Sequence, residues 1–272
     1  MPGKRLALAL TGGVMTEQKR DRVRQVAVAV GAFAAIVGAA WGSGAFGGTP
    51  MAQAADGALA PDATLLGAAT PAFQIWSVIY LGLVLFAIVQ ALPSRASLEL
   101  YRSTAWWILA SMILNAVWIA VVQAGWLVVS APVLVAIVAV LWVTATRAAA
   151  ATDGGHLDRA TTHITVGLYL GWAAVATAAN IAAIARPIGT AWALVSIAVV
   201  LAVVGYAVLR VASRAIGVSI ALASAWGLTW IGIARLDAPH NSAVEIVAFV
   251  AAGLALLLAA WKLSRRSASA LA

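Results

Sequence analysis

The segment Y-L-G-W-A-A-V-A-T-A-A-N, from Tyr169 to Asn180, decides the fold class of this chain. It lies in an uncharged run near residues 163–185, about the length with which a helix crosses roughly 30 Å of hydrocarbon. Lipid offers no hydrogen-bond partner to the backbone, so such a run must be a helix or a barrel strand. Ala, Val, Leu and Ile without strict alternation exclude the barrel. The segment therefore predicts a transmembrane helix that carries aromatic and amide side chains at mid-depth.

The composition extends this prediction to the whole chain. Its 272 residues are 64% hydrophobic and 10% charged, with a mean hydropathy of +0.99, whereas soluble domains have about 45–50% apolar and about 25% charged residues. We therefore expect an all-α polytopic membrane protein. The uncharged runs predict eight transmembrane helices, near residues 25–46, 74–93, 104–125, 127–147, 163–185, 189–209, 214–234 and 243–262.

The basic residues set the predicted orientation. Of the 17 Lys and Arg residues, all but Arg186 and Arg235 fall on one set of connections, and an excess of basic residues marks the cytoplasmic side. We expect a multi-pass protein of the cell membrane with both termini cytoplasmic, and residues 1–24 as a basic cytoplasmic tail in which Met15 offers an alternative start. The same rule explains the net charge of +8, so we expect no nucleic-acid partner.

Several kinds of chemistry have no residues to support them. The chain has no cysteine, which excludes disulfides, thiolate metal sites and covalent haem attachment. No ionisable side chain lies centrally in a predicted span. This argues against a proton-coupled transporter and against a buried histidine as an axial haem ligand. His156, His163 and His240 fall in loops or at helix ends, where we expect them to be exposed to solvent. We expect no catalytic residue, no metal, no cofactor and no enzymatic activity.

Large rings and hydrogen-bonding groups recur at helical spacing on three predicted helices. A cavity walled by flat rings and a few polar groups suits a planar, mostly apolar ligand, but such stripes also pack helices together. From spacing alone, pocket and packing are equally supported. The three stripes are Phe73, Trp76 and Tyr80 on the second helix, Trp107, Ser111, Asn115 and Trp118 on the third, and Tyr169, Trp172, Ala176 and Asn180 on the fifth.

Other aromatic and small residues have a structural interpretation. Trp126 and Trp261 lie at span ends and are interpreted as interface residues. Trp41, Trp142, Trp192, Trp226 and Trp230 are interpreted as packing or interface residues. The pairs Gly38/Gly42 and Gly167/Gly171 fit close approach of helices, and they leave a homodimer open without predicting one. The longest connection, Gly47 to Thr70, is either a functional lid or simply mobile.

Taken together, three segments resemble the TspO/MBR family, the tryptophan-rich sensory proteins related to the mitochondrial translocator protein (peripheral benzodiazepine receptor). The family's fifth-helix pattern Y-L-x-W-x-x-x-A-x-x-x-N is matched here from Tyr169 to Asn180. Its third-helix L-N-x-x-W is similar to Leu114, Asn115 and Trp118, and its second-helix W-T-x-x-Y to Trp76, Ser77 and Tyr80. The resemblance covers roughly residues 24–186.

The resemblance implies a five-helix bundle, residues 25–186, around a pocket closed by the first loop. Residues 187–272 would then be a three-helix extension, as in longer bacterial relatives. The implied ligands are porphyrins, related tetrapyrroles, sterol-like lipids or drug-like molecules. The first loop departs from compact members of the family, because it lacks their Trp- and Pro-rich sequence. The implied ligand-binding residues are Trp76, Tyr80, Asn115, Trp118, Tyr169, Trp172 and Asn180.

These observations favour a membrane receptor or sensor for a hydrophobic planar ligand. An uncoupled transporter of such a ligand is the alternative, and a porphyrin-degrading enzyme is a third hypothesis. The expected partners are a hydrophobic small molecule and membrane lipids.

Overall fold

The structure, a computed structural model, describes residues 2–42, 47, 49–237 and 239–265, and for residues 2–15 the backbone alone. It therefore leaves out Arg266 and the side chains of Lys4 and Arg5, on which part of the orientation argument rests, as well as the predicted end of the first helix at residues 43–46. The described residues are mostly helical and contain no strand, and the eight predicted membrane-length helices are confirmed. They are α1 Pro2–Gly42, α2 Ile75–Ala91, α3 Glu99–Gln123, α4 Leu127–Ala150, α5 Thr165–Ile184, α6 Thr190–Arg210, α7 Arg214–Ala234 and α8 Ser242–Ser264.

The first helix begins well before the predicted boundary at residue 25. Asp21 and Arg24 are 6% and 3% exposed, and they pair with each other at 2.8 Å. Arg102 Nη2 on α3 lies 2.5 Å from the Asp21 carboxylate, and Arg24 Nη2 donates to the Ala96 carbonyl oxygen at 2.6 Å. Because these charges are paired, they continue the helix and dock it on the loop before α3, instead of ending it.

The helices pack as a continuous bundle in which α7 is central. Helix α3 packs on α1 and α4, α4 also packs on α5, and α2 packs on α1 and α5. Helix α5 packs closely on α7, and α7 also contacts α6 and α8. In the most apolar stretch of α7, 67% of the residues are buried, the highest share among the eight spans. The last three helices are therefore joined to the first five across a wide interface between α5 and α7.

Small residues allow that interface to be close. A Cβ atom on Gly171 would lie 2.3 Å from the Ile220 carbonyl oxygen, and one on Gly167 would lie 2.6 Å from that of Ile216. The expected close approach of helices at Gly167 and Gly171 is thus present, and it occurs within one chain. In the other predicted pair, a Cβ atom on Gly42 would lie 2.7 Å from Ile119 Cγ2 on α3, whereas one on Gly38 would meet no described atom within 4 Å.

One expectation about the histidines is wrong. His156 and His240 are exposed, but His163 is buried, with 8% exposed surface. Its Nε2 lies 3.1 Å from the Ala148 carbonyl oxygen and its Nδ1 lies 2.9 Å from the Ser213 hydroxyl. The ring therefore bonds the end of α4 to the start of α7, and these two partners replace the water that an exposed imidazole would have.

Candidate ligand pocket

Trp76 lies at the centre of an aromatic cluster between α2 and α5. Proline at the start of the 3₁₀ turn Thr70–Gln74 leads into α2, and the ring of Trp76 follows one turn later. The ring stacks on Tyr80, with centroids 5.3 Å apart, and meets Tyr169 and Trp172 edge-on at 5.5 and 6.4 Å. Rings at these distances attract each other beyond their burial of apolar surface. The cluster therefore fixes the relative position of the two helices.

The lower side of this cluster, which faces α1, is filled by side chains. Asn115 Nδ2 on α3 donates to the Tyr80 hydroxyl at 2.8 Å, and the Tyr169 hydroxyl donates to the Ser111 carbonyl oxygen at 3.1 Å. Tyr80, Asn115 and Tyr169 face α1 around Ala35, with no free volume that would hold a water molecule. In the present conformation these residues are packed together.

The upper side of the cluster, which faces the first loop, holds a cavity of about 40 Å³. Trp118, Trp172 and Asn180 belong to its wall, and each is at most 4% exposed. Asn180 Oδ1 accepts a hydrogen bond from the Ser130 hydroxyl at 2.9 Å, which orients the amide from α4. The cavity has room for about one water molecule. The remaining lining residues are Ala58, Leu59, Thr64, Gly67, Ala68, Phe73, Val175, Ala176, Ala179 and Ile231.

Four buried polar atoms of the predicted residues have no hydrogen-bond partner within the described part of the chain: Asn115 Oδ1, Trp118 Nε1, Trp172 Nε1 and Asn180 Nδ2. Three of the four belong to residues of the cavity wall. The side-chain amide of Asn can be flipped so that its oxygen and nitrogen exchange places, and either one can then meet a partner. An indole N–H can only donate. Because buried polar groups are ordinarily paired, these two indole donors are available to an acceptor that enters the cavity.

The seven predicted residues therefore lie together, but in two compartments. Trp118, Trp172 and Asn180 line the upper cavity, while Tyr80, Asn115 and Tyr169 lie below it. Trp76 contacts residues of both groups and does not line the upper cavity. The single shared cavity expected for Trp76, Trp118 and Trp172 is divided in this conformation.

Sequence reasoning missed the contribution of α7. Ile231 lines the cavity, Trp226 Nε1 donates to the Ala72 carbonyl oxygen at 2.9 Å, and Arg235 is fully buried against the first loop. The interpretation of Trp226 as a packing or interface residue is incomplete, because its indole also holds the loop. One signal was available, since Arg235 is one of only two basic residues on the charge-poor side of the predicted topology.

Among the described residues, no group of three or more His, Asp or Glu side chains is placed to hold a metal ion.

A family model described as TSPO-like protein matches residues 17–261. The match extends beyond the three quoted motifs through α6 and α7 and most of α8. No curated protein and no solved structure matches the chain.

Proposed function

Since this chain belongs to the TSPO-like protein family, we propose that it is a membrane receptor or sensor that binds a hydrophobic planar ligand inside the bundle. The ligand class is a porphyrin-type tetrapyrrole or a sterol-like lipid. We place the protein in the cell membrane with both termini cytoplasmic. The observation that carries the proposal is the pair of unpartnered indole N–H groups, Trp118 Nε1 and Trp172 Nε1, at one apolar cavity.

These two indole N–H groups indicate which atoms a complementary ligand must offer. Leaving a buried donor unpaired costs about 1–3 kcal/mol, and a ligand that offers acceptor atoms removes that cost. The rest of the wall is apolar or aromatic, which favours a flat apolar body. Carboxylate, carbonyl or hydroxyl oxygens at the edge of a ring system satisfy both requirements.

Binding of such a ligand requires the cavity to open. About 40 Å³ of free volume is far below the roughly 300–1,000 Å³ of a typical ligand pocket. The roof consists of loop residues and the other walls are packed helices, so the loop is the wall that can move at least cost. The structure therefore corresponds to a closed state of the proposed receptor.

The polar groups of the cavity favour binding over catalysis. Indole and amide groups do not ionise near neutral pH, so they orient a ligand without acting as a general acid or base. A transporter would move the ligand across sealed vesicles, and a porphyrin-degrading enzyme would form a product. For the receptor we expect saturable binding with neither flux nor product.

The test compares two tryptophan variants in a porphyrin titration followed by protein fluorescence. Trp172→Ala removes a wall of the cavity, and loss of a stacking ring should weaken binding by about fivefold or more, on the order of 1 kcal/mol. Trp261→Ala is the matched control, because Trp261 lies at the end of α8 with the Arg265 guanidinium 4.0 Å from its ring. Equal affinities of the two variants, or no saturable binding by the parent protein, would contradict the proposal.

A further inference from the structure

The loop between α1 and α2 is held at two separate places. Its first part is fixed to α3, where Gln123 Nε2 donates to the carbonyl oxygens of Gly42 and Thr49 at 2.6 and 2.8 Å. Its second part, residues 58–72, is called the lid here, and five of its residues form the roof of the cavity: Ala58, Leu59, Thr64, Gly67 and Ala68. The lid contacts a different helix, α7.

Arg235, directly after α7, is the principal contact of the lid. Its side chain is fully buried, and its guanidinium donates to the carbonyl oxygens of Thr64 at 2.9 Å, of Gly67 at 3.3 Å and of Pro61. It forms no ion pair with any carboxylate in the described part of the chain. Burial lowers the pKa of this guanidinium, as expected for a charge held away from water. A planar fork of donors can gather three carbonyl oxygens in this way, whereas a lysine offers a single point charge.

Two tryptophans of α7 hold the other end of the lid. The backbone N–H of Ala69 donates to the Trp230 carbonyl oxygen at 3.0 Å, and Trp226 Nε1 donates to the Ala72 carbonyl oxygen at 2.9 Å. Ile231, on the same helix, is part of the cavity wall. Helix α7 therefore contacts the lid at both ends and the cavity between them.

A turn of unusual backbone conformation separates the two parts of the loop. Ala55, Asp56 and Gly57 have φ values of 50°, 55° and 69°, in the left-handed region that non-glycine residues rarely adopt. This turn lies between the Gln123 contact and the lid, and it marks where the part of the loop held by α3 ends and the part held by α7 begins.

We propose that Arg235, with Trp226 and Trp230, clamps the lid over the pocket, and that ligand enters when these hydrogen bonds release. Arg235 is then a positioning residue for the binding site, supplied by the last three helices. The identity of the ligand rests on the proposed function, but the clamp itself is tested without any ligand.

The absence of native cysteine makes a thiol reporter specific. Ala58 is a lid residue that lines the cavity and is 1% exposed, so Ala58→Cys is labelled by a maleimide only when the lid opens. The labelling rate of this reporter protein is compared in detergent with and without Arg235→Ala. Arg186→Ala, which changes an exposed arginine at the end of α5, is the matched control, and Ala124→Cys, on an exposed turn, reports full accessibility.

We expect Arg235→Ala to raise the labelling rate of the Ala58→Cys reporter at least tenfold, with Arg186→Ala within twofold of the parent. Arg235→Lys should restore part of the protection. Trp226→Phe keeps an aromatic ring but removes the hydrogen bond to the lid, and it should raise the rate at least threefold, which keeps the test decisive if Arg235→Ala does not fold. Parental rates in folded Arg235→Ala, or in Trp226→Phe if Arg235→Ala is unfolded, overturn the proposal.

A porphyrin titration of the same proteins separates the two proposals. Faster labelling without porphyrin binding by the parent supports the clamp and contradicts the ligand class. Porphyrin binding with unchanged labelling supports the receptor and contradicts the clamp. If both hold, Arg235→Ala should accelerate association and dissociation of porphyrin together, whereas a merely structural loss of the pocket would lower the association rate.

Discussion

Replacing Gly171 with alanine tests whether the α5–α7 interface holds the last three helices on the first five. The added Cβ atom would lie 2.3 Å from the Ile220 carbonyl oxygen, whereas ordinary contacts of a Cβ atom are 3.4 Å or longer. The two helices must therefore move apart by about 1 Å (3.4 minus 2.3). The clash is with backbone, which cannot rotate away as a side chain would.

The expected cost follows from that displacement. A gap of about 0.5–1 Å forfeits a quarter to a half of the dispersion attraction between facing atoms, and overpacking typically costs about 1–3 kcal/mol. Alanine also gains up to about 1 kcal/mol over glycine from helix propensity. We expect a net loss of about 1–2 kcal/mol, which corresponds to a melting temperature about 2–8 °C lower.

The assay is a thermal melt of purified protein in one detergent, with Gly253→Ala as the matched control. Gly253 lies in α8, and a Cβ atom there would meet nothing within 4 Å, so this variant changes helix propensity alone. It should melt at or slightly above the parent temperature. If Gly171→Ala melts as high as Gly253→Ala, the close packing of α5 on α7 does not hold these helices together.

Two further predictions concern orientation and the buried lysine. Reporter fusions at residue 60 and after Ala272 should report opposite sides of the membrane, because basic residues are concentrated on the side of both termini; the same side for both would contradict the topology. Lys262→Met should destabilise the protein by about 1.5–3 kcal/mol, since the buried Nζ donates to the carbonyl oxygens of Val208 and Val211 at 2.8 and 2.6 Å. Lys19→Met, on an exposed position, should leave the melting temperature unchanged, and an equal effect of both changes would show that Lys262 does not support the end of α6.

The eight spans could be predicted from the sequence because hydrocarbon demands long uncharged helices, and that demand is visible residue by residue. The start of α1 could not, since Asp21 and Arg24 look like a charged tail until Asp21 is seen to pair with Arg102 and Arg24 with the Ala96 carbonyl oxygen. The burial of His163 could not be predicted for the same reason, because its hydrogen-bond partners are distant in sequence.

For the candidate pocket, helical phase predicted stripes on α2, α3 and α5, and the structure brings most of those side chains together. Trp107 is the exception, because its ring packs against the Arg147 guanidinium, 5.2 Å from the ring centroid. Helical phase could not predict that these side chains would divide into two compartments around Trp76, because that division depends on the orientation of the rings. The sequence marked Arg235 as unusual, because it lies on the charge-poor side of the predicted topology, but it could not predict which lid atoms Arg235 contacts. Arg235 donates to backbone carbonyls, and every residue type offers that acceptor, so no sequence pattern records the pairing.

The groove of small residues on α5 has a consequence for biosynthesis. A chain is made from its N-terminus, so Gly167 and Gly171 enter the membrane before the backbone of α7 exists to cover them. Until α7 is inserted, the nascent protein exposes a face suited to close helix contact, which another chain or an insertion factor can occupy. Translation past residue 235 then covers that face and supplies the arginine that bonds the loop over the cavity, so the walls of the candidate pocket are complete only after seven of the eight helices have been made.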